Sequence, residues 1–502
     1  MPHSPTDPLF QVPDFEAAGH AAPTPADDAA DDRDRAADTP PEVDPGAESG
    51  AESGGEPGAG APKVTRRRRD RSQRVRRERP PEPERKPEET EDDEDAVPLL
   101  ELREPLPGVV NTPEELERAC RALAAATGPV ALDAERASGY RYSQRAYLIQ
   151  IRREGAGSWL VDPIAFGQDL SALHDALGGA QWILHAATQD IACLREAGLH
   201  PTSIFDTELA GRLLGYPRVG LATLVEVLLG RRLRKEHSAA DWSTRPLPEP
   251  WLEYAALDVE VLIELRLRMV DELAAAGKTA WAEQEFTHLL DFAPTVRTDA
   301  WRRVSGLHKL KGRRPLAVAK SIWEARDAIA AERDVTPGRI IPDSAIVVAA
   351  ATMPTDKGAL LDARGFHGRG ASRYADVWLD AVAAAQALDE ADLPTRSAPS
   401  QGPPQPRLWA DKDPVAGERW TLGRQSLTEL AEDLSVPLEN LLTPDSLRRL
   451  LWKPPATRDV ADLTDAVADQ LRGYGAREWQ VDLTAAPLAQ ATIEAEQAVG
   501  QD

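Results

Sequence analysis

Residues 129–164 read PVALDAERASGYRYSQRAYLIQIRREGAGSWLVDPI, and this stretch decides the fold. It contains short, mostly apolar runs at 129–136, 146–153 and 158–164, separated by turn-forming segments. Runs of this length and spacing are typical of strands joined by hairpin connections. The sequence therefore predicts the start of a sheet here, preceded by a helix over 112–126 that begins at a capping box.

Further along, strands are predicted at 182–186 and 204–207, with helices near 169–178, from about 189 to 197, and onward to about 275. The chain thus begins with consecutive strands and continues with strands that alternate with helices. This order indicates an α/β fold in which helices pack on a mixed sheet. Beyond a break at 292–294 the pattern becomes all-helical. The predicted domains are an α/β domain at 99–294, a helical domain at 295–390, a Pro-rich linker at 391–414, a second helical domain at 415–492 and a tail at 493–502.

Charge is unevenly distributed over the 502 residues, which carry 59 Lys and Arg against 83 Asp and Glu, a net charge of −24. Residues 1–98, rich in Ala, Pro, Gly and acids, cannot bury enough apolar surface to fold and predict a disordered arm. Within it, residues 63–79 carry 10 bases and 2 acids between acidic flanks. This segment fits a phosphate-binding patch and a solvated charge block equally well. The overall acidity disfavours a protein that simply coats nucleic acid.

Two widely separated cysteines, Cys120 and Cys193, exclude a disulfide framework and a cysteine zinc site, and they suit a reducing compartment. No run of about 18 apolar residues is present, so no membrane span is predicted. The N-terminus lacks the basic and apolar regions of a secretory signal. A cytoplasmic protein is the expectation.

Three segments place acidic side chains where they could converge. Asp133 and Glu135 alternate with apolar residues and so share one face of a strand. Asp190 falls in the first turn of a helix after a buried strand, and Tyr254 and Asp258 are four residues apart on one helical face. Each feature alone fits an ordinary strand end, a helix-dipole acid or a surface helix. Together, four acids suit Mg²⁺ or Mn²⁺, which prefer oxygen ligands, and can hold two ions about 4 Å apart for attack on phosphodiesters.

The order of these motifs resembles the ribonuclease D family, the DEDD exonucleases of the tyrosine subclass with a ribonuclease H-like fold. The match includes YSQRAYLIQI (142–151), FDTELAGRLLG (205–215), GLATLVEVLLG (220–230) and HSAADWSTRPL (237–247). Residues 301–380 resemble a helicase-and-RNase-D C-terminal (HRDC) domain, and 425–490 resemble its degenerate second copy. One departure is Arg136, where the family often has an aromatic residue.

The resemblance implies a 3′→5′ exoribonuclease that shortens RNA ends, including tRNA precursors, and releases nucleoside 5′-monophosphates. Its implied cofactors are two divalent ions, Mg²⁺ or Mn²⁺, and its implied partner is RNA with a free 3′ end. A monomer is favoured. The implied catalytic residues are Asp133, Glu135, Asp190, Tyr254 and Asp258, of which the four acids are the metal ligands. The residues expected to bind substrate are Gln150, His185, Trp242 and Arg245, although His185 is also expected to pack behind Asp190.

Two other functions fit the same sequence. A DNA 3′→5′ exonuclease of this fold would carry the same four acids, because the choice of RNA depends on contacts to the 2′-hydroxyl. A catalytically silent RNA-binding protein would be expected to have lost at least one acid, and none is lost here.

Overall fold

The computed structural model describes residues 97–233, 239–397 and 402–500. The predicted disordered arm, including its basic segment 63–79, therefore lies outside the described residues except for Val97 and Pro98. The first described residues already contact the rest of the domain, because the Pro98 carbonyl accepts a hydrogen bond from the Arg232 amide at 2.9 Å. Every helix in the described part of the chain is too short or too polar to cross a lipid bilayer.

A mixed six-stranded sheet forms the first domain, as predicted. Its strands are β1 (Val109–Val110), β2 (Val130–Arg136), β3 (Ala146–Arg153), β4 (Gly157–Val161), β5 (Trp182–Leu184) and β6 (Ile204–Asp206). They lie in the order β1-β4-β3-β2-β5-β6. β2 is central, antiparallel to β3 and parallel to β5. Its apolar residues are buried, whereas Asp133, Glu135 and Arg136 are partly exposed.

Helices cover both faces of this sheet. They are α1 (Pro113–Ala125), α2 (Ser171–Leu177), α3 (Ile191–Glu196), α4 (Thr207–Leu213), α5 (Leu221–Leu229), α6 (Glu249–Glu260), α7 (Leu262–Ala275) and α8 (Thr279–Leu289). The capping box predicted at α1 is present: Thr112 accepts from the Glu115 amide, and the Glu115 carboxylate accepts from the Thr112 amide. α6 packs on β2, β3 and β4 through the fully buried Ala255 and Ala256, whose small side chains let the helix approach the sheet.

The rest of the chain is helical, in two groups. The first comprises α9 (Arg313–Arg333), α10 (Asp343–Thr352), α11 (Lys357–Asp362), α12 (Arg369–Arg373) and α13 (Ala375–Ala387). The second comprises α14 (Trp409–Lys412), α15 (Pro414–Asp433), α16 (Leu438–Leu441), α17 (Pro444–Trp452), α18 (Val460–Gly473) and α19 (Glu478–Val499). We refer to these groups as the first and second helical domains.

Two of the predicted boundaries need correction. The segment 391–414 is not linker throughout, because a 3₁₀ turn at Pro406–Leu408 and α14 place the Trp409 ring, fully buried, in the core of the second helical domain. The tail predicted at 493–502 is largely the end of α19, where Ala495 is fully buried. Proline content concealed the first of these, since Pro is also common at the start of helices.

The second helical domain shares its core with the sheet domain, which the sequence did not reveal. Trp479 from α19 stacks on Trp281 from α8, with ring centroids 4.8 Å apart. The Trp479 indole N–H donates to Glu285 Oε1 at 2.9 Å, and the Arg477 guanidinium bonds the same oxygen at 2.7 Å. From the other side, the Lys278 ammonium donates to the Leu213 and Leu434 carbonyls at 2.6 and 2.7 Å. These contacts make the second helical domain part of the scaffold beneath α8.

We predict that Trp479→Ala loosens α8 as well as α19. Removing a fully enclosed aromatic ring costs about 3–5 kcal/mol of unfolding free energy, and it also removes a donor from the buried Glu285 carboxylate. Hydrogen exchange of the full chain should show faster amide exchange in Thr279–Leu289. Val460→Ala, an exposed position in the same helical domain, is the control. Protection of α8 that is unchanged in Trp479→Ala would show that the two domains are independent.

Candidate active site

Three of the predicted acids meet at one point of the sheet domain. Asp133 and Glu135 project from β2, and Asp258 projects from α6, which crosses that strand. Each offers a carboxylate oxygen, and the three oxygens lie within 4.8 Å of one another. Carboxylate oxygens in this arrangement are suited to a divalent metal ion.

Asp190, the fourth acid, reaches the cluster from the N-terminal end of α3. It is buried, and burial together with the neighbouring Asp133 carboxylate raises the pKa of Asp190. The structure thus brings together all four acids that the sequence predicted, with Asp133 in contact with both halves of the set.

Burial and mutual repulsion determine the charge of this cluster. Burial raises the pKa of all four carboxyl groups, and for Glu135 the neighbouring Asp133, Asp258 and Asp190 add to the effect, giving a pKa of about 10. The Arg136 guanidinium lowers the pKa of Asp133, Glu135 and Asp190, but by less than burial raises it. A bound cation would reverse these shifts, because it favours the ionised form of each ligand. The donor set therefore fits divalent metal ions.

Tyr254 stands one helical turn before Asp258, as predicted, and its phenol lies beside that carboxyl group. Burial and the nearby acids raise the pKa of Tyr254 above its ordinary value. The phenol therefore keeps its proton at neutral pH. α6 is itself anchored close by, because the buried Glu260 carboxylate pairs with Arg152 of β3 at 3.2 Å.

The turn that presents Asp190 is held by Asp206, a residue that the sequence did not single out. The Asp206 carboxylate caps α4, and it also accepts hydrogen bonds from the Ala186 and Ala187 amides at 3.1 and 2.8 Å. Ala186 has a φ of 58°, a left-handed conformation that is unusual for a residue with a side chain. These bonds stabilise that conformation. The FDT sequence at 205–207 gave the only signal, an Asp at a helix N-cap.

His185 follows β5 directly, and its ring is bonded to Thr207 at the start of α4. Its Nδ1 lies 2.9 Å from the Thr207 hydroxyl, which donates its proton to the Leu184 carbonyl at 3.2 Å. The imidazole must then donate from Nδ1, which leaves Nε2 as an acceptor. Burial lowers the pKa of His185 to about 4, so the ring is neutral.

Gln150, predicted to bind substrate, lies directly opposite Asp133 on β3, with its side chain on the same face of the sheet. It is fully buried, and neither polar atom of its amide has a hydrogen-bond partner in the described part of the chain. Unsatisfied buried amides are uncommon in folded proteins. The structure thus leaves unused hydrogen-bonding capacity beside the acids.

Trp242 and Arg245 occupy supporting positions. The Trp242 ring is fully enclosed between β3 and α6. The Arg245 guanidinium forms two bonds to the Asp162 carboxylate, at 2.6 and 2.8 Å, and a third to the Tyr147 carbonyl at 2.7 Å. Both were predicted to contact substrate, but enclosure of the ring and saturation of the guanidinium favour a structural role. Through these contacts, the Asp-Trp-x-x-Arg-Pro-Leu segment at 241–247 stabilises the packing around β3 and α6.

This fold and acid cluster define a 3′-5′ exonuclease. Residues 107–274 match the family model described as "3'-5' exonuclease", 316–382 match the HRDC domain, and 402–492 match "3' to 5' exonuclease C-terminal domain". The chain is 33% identical over 317 residues to ribonuclease D of Granulibacter bethesdensis, covering 61% of this chain and 79% of that one. It is 34% identical over 313 residues to ribonuclease D of Acidiphilium cryptum, covering 60% and 78%. The chain belongs to the ribonuclease D family, which confirms the predicted enzyme class, a 3′-5′ exoribonuclease.

Solved structures support the same assignment. A protein from Bifidobacterium adolescentis aligns with a TM-score of 0.72 and 37% identity, covering 80% of this chain and all of that one. Escherichia coli RNase D aligns with a TM-score of 0.54 and 26% identity, covering 73% and 99%. The similarity extends over the sheet domain and the helical domains together, since it covers most of the described residues.

We predict that Glu135→Gln stabilises the metal-free protein at alkaline pH. Folded Glu135 keeps its proton up to about pH 10, whereas an ordinary glutamate loses it near 4.5. Between these values the native state binds more protons than the unfolded state, so wild-type stability falls as pH rises. Glutamine is never charged and escapes this loss. Urea unfolding in EDTA should therefore show a higher midpoint for Glu135→Gln than for wild type at pH 8, and no difference below pH 4.

Glu283→Gln, an exposed position on α8, is the matched control and should leave the pH dependence of unfolding unchanged. Parallel pH profiles for wild type and Glu135→Gln would contradict the repulsion described for this cluster.

Proposed function

We propose that this enzyme removes nucleotides one at a time from the 3′ end of RNA by hydrolysis assisted by two divalent ions, Mg²⁺ or Mn²⁺, releasing nucleoside 5′-monophosphates. The observation that carries the proposal is the convergence of carboxylate oxygens of Asp133, Glu135 and Asp258 within 4.8 Å, with Asp190 close enough to Asp133 to feel its charge. Burial raises the pKa of all four acids, and a bound cation would favour their ionised forms.

The four acids divide into two overlapping sets. Asp133, Glu135 and Asp258 would hold one ion, and Asp133 with Asp190 would hold the second, so that Asp133 serves both. The ions would supply an activated water and would neutralise charge on the phosphodiester. The amide of Gln150, which has no hydrogen-bond partner among the residues that the structure describes, is then available to bond a group that enters beside Asp133.

Tyr254 orients the attacking water in this proposal. Its phenol lies one helical turn before Asp258, beside the acids that would hold the ions. A raised pKa makes the phenol unsuited to act as a base at neutral pH, and orientation is the role that remains. His185 is neutral and is bonded to Thr207 through Nδ1, so its Nε2 can accept a hydrogen bond.

The proposed substrates are single-stranded RNA 3′ ends, tRNA precursors among them. Support comes from the ribonuclease D relatives and from the similar E. coli enzyme, which is described as "an exoribonuclease involved in structured RNA processing". The HRDC match at 316–382 adds a domain associated with nucleic-acid binding. A cytoplasmic location and a monomeric state stay predictions.

Digestion of RNA and DNA oligonucleotides of the same sequence tests the proposal. With a 5′ label, RNA should shorten progressively from its 3′ end in Mg²⁺ or Mn²⁺, EDTA should stop the reaction, and a 3′ trailer on a tRNA precursor should be trimmed. Chromatography should identify nucleoside 5′-monophosphates as products. Faster digestion of DNA would favour the alternative of a DNA exonuclease, and release of longer fragments would contradict exonucleolytic action.

We predict that Asp133→Asn abolishes activity while the fold persists. The substitution keeps the shape of the side chain but removes a charge that both ions share, so turnover should fall by several orders of magnitude. Calorimetry should show weaker metal binding, and circular dichroism should be unchanged. Asp175→Asn, on the exposed surface of α2, is the control for a surface charge. Near-normal turnover by Asp133→Asn would exclude the two-ion proposal.

Tyr254→Phe should slow the reaction less than the loss of an acid does. Only a water-orienting hydrogen bond is removed, and positioning of this kind contributes about 10²–10⁴-fold. Metal binding measured by calorimetry should survive, because all four carboxylates remain. If Tyr254→Phe lost its metal instead, the role assigned to the phenol would be incorrect.

A further inference from the structure

The two central strands have an irregularity next to the metal-ligating residues. Along β2 and β3 the pairs run regularly from Val130–Arg153 to Glu135–Leu148, but Arg136 pairs with Ala146. Tyr147 is therefore an extra residue on β3, opposite the point where β2 passes from Glu135 to Arg136. Bulges bend the strand, increase its twist and redirect side chains, and they are frequent beside active sites.

Tyr147 is held at both ends by residues distant in sequence. Its carbonyl accepts a hydrogen bond from Arg245 at 2.7 Å, which fixes the backbone of the bulge. Its ring is buried, and its hydroxyl donates to Asp334 Oδ2 at 3.2 Å. Asp334 belongs to the first helical domain, as the residue that caps the C-terminal end of α9.

Asp334 also binds the loop that joins β2 to β3. Its other oxygen, Oδ1, accepts the Ser143 amide proton at 2.8 Å. Burial raises the pKa of Asp334, but the hydrogen bonds from Ser143 and Tyr147, with Arg145 nearby, bring it below the ordinary value. The carboxylate is therefore charged at neutral pH, when its hydrogen bonds are strongest.

Three neighbouring contacts extend this interface. The Tyr142 hydroxyl donates to Asp327 of α9 at 2.9 Å. The Thr336 amide donates to the Tyr140 carbonyl at 3.1 Å, and the Arg339 guanidinium lies over the Tyr140 ring, 4.4 Å from its centre. The loop at 137–145 thus contacts the first helical domain through Tyr140, Tyr142 and Ser143.

We propose that Tyr147 and Asp334 are a pair of positioning residues, through which the first helical domain fixes the bulge that orients Glu135. This domain then acts on the chemical step itself, in addition to any contact it makes with RNA. The inference rests on the proposed metal-binding role of Glu135. It assigns a function in catalysis to a carboxylate that lies outside the exonuclease domain.

Steady-state kinetics of the full-length protein on a short single-stranded RNA tests the pair. Tyr147→Phe removes one oxygen atom from the interface. Asp334→Gly removes both acceptors, and it suits the backbone because Asp334 has a φ of 45°. Each variant should reduce kcat by about tenfold to a hundredfold, the effect of a small misplacement of catalytic groups, with KM little changed. Amide exchange in residues 135–147 should become faster.

Three further variants sharpen the result. Asp334→Asn keeps an acceptor for the Ser143 amide and tolerates the same backbone conformation, so it should recover most of kcat. The double variant Tyr147→Phe with Asp334→Gly should be no slower than the slower single variant, because both remove the same contact. Tyr216→Phe, which loses a hydroxyl bonded to Glu272 elsewhere in the sheet domain, and Asp380→Ala, exposed on α13, should match wild type.

Unchanged kcat and unchanged exchange in Tyr147→Phe and Asp334→Gly would overturn the inference, as would an effect confined to KM, which would limit the first helical domain to RNA binding. Glu135→Gln separates this failure from failure of the proposed function. If Glu135→Gln is inactive while the two interface variants are normal, the positioning role alone is wrong. If Glu135→Gln is fully active, the metal-binding role on which the inference rests is wrong.

Discussion

Repulsion among buried carboxylates is the constraint that the rest of this structure has to satisfy. Three carboxylate oxygens lie within 4.8 Å of one another. Burial raises the pKa of each group, and repulsion by neighbouring acids adds to this for Glu135 and Asp258. Side chains in such a cluster separate unless the backbone holds them. Here it does so from three directions, with a central strand for Asp133 and Glu135, a capped turn for Asp190, and a helix pressed onto the sheet for Asp258. The scaffold is rigid where the charges require it.

Much of this site was predictable from sequence because its parts are local. The alternation of Asp133 and Glu135 on a strand and the four-residue spacing of Tyr254 and Asp258 on a helix are periodic signals. Both were confirmed in the structure, as were the mixed sheet and the all-helical character of the second half. The meeting of these segments in space was expected only from the resemblance to a family, since no periodicity encodes a contact between residues 133 and 258.

The parts that sequence did not reveal depend on long-range contacts. Asp206 reads as an ordinary N-cap, and only the structure shows that it also stabilises the turn before Asp190. Trp242 and Arg245 were interpreted as substrate contacts because the segment is distinctive, but a distinctive segment can equally be one that packs. Trp409 lies in Pro-rich sequence that looks like linker, although its ring is fully buried. In each case the partner is remote, so the local pattern carries no information about it.

The shared core of the sheet domain and the second helical domain has a consequence for biosynthesis. The N-terminal part of a chain leaves the ribosome first, and domains generally fold from the N-terminus onward during synthesis. The four acids lie between residues 133 and 258, yet Trp281 and Glu285 are covered only when Trp479 and Arg477 arrive. When the segment that carries the four acids has left the ribosome, the chain therefore still lacks part of the hydrophobic core of the sheet domain. The scaffold beneath α8 is completed only after residues 477–479 have been synthesised.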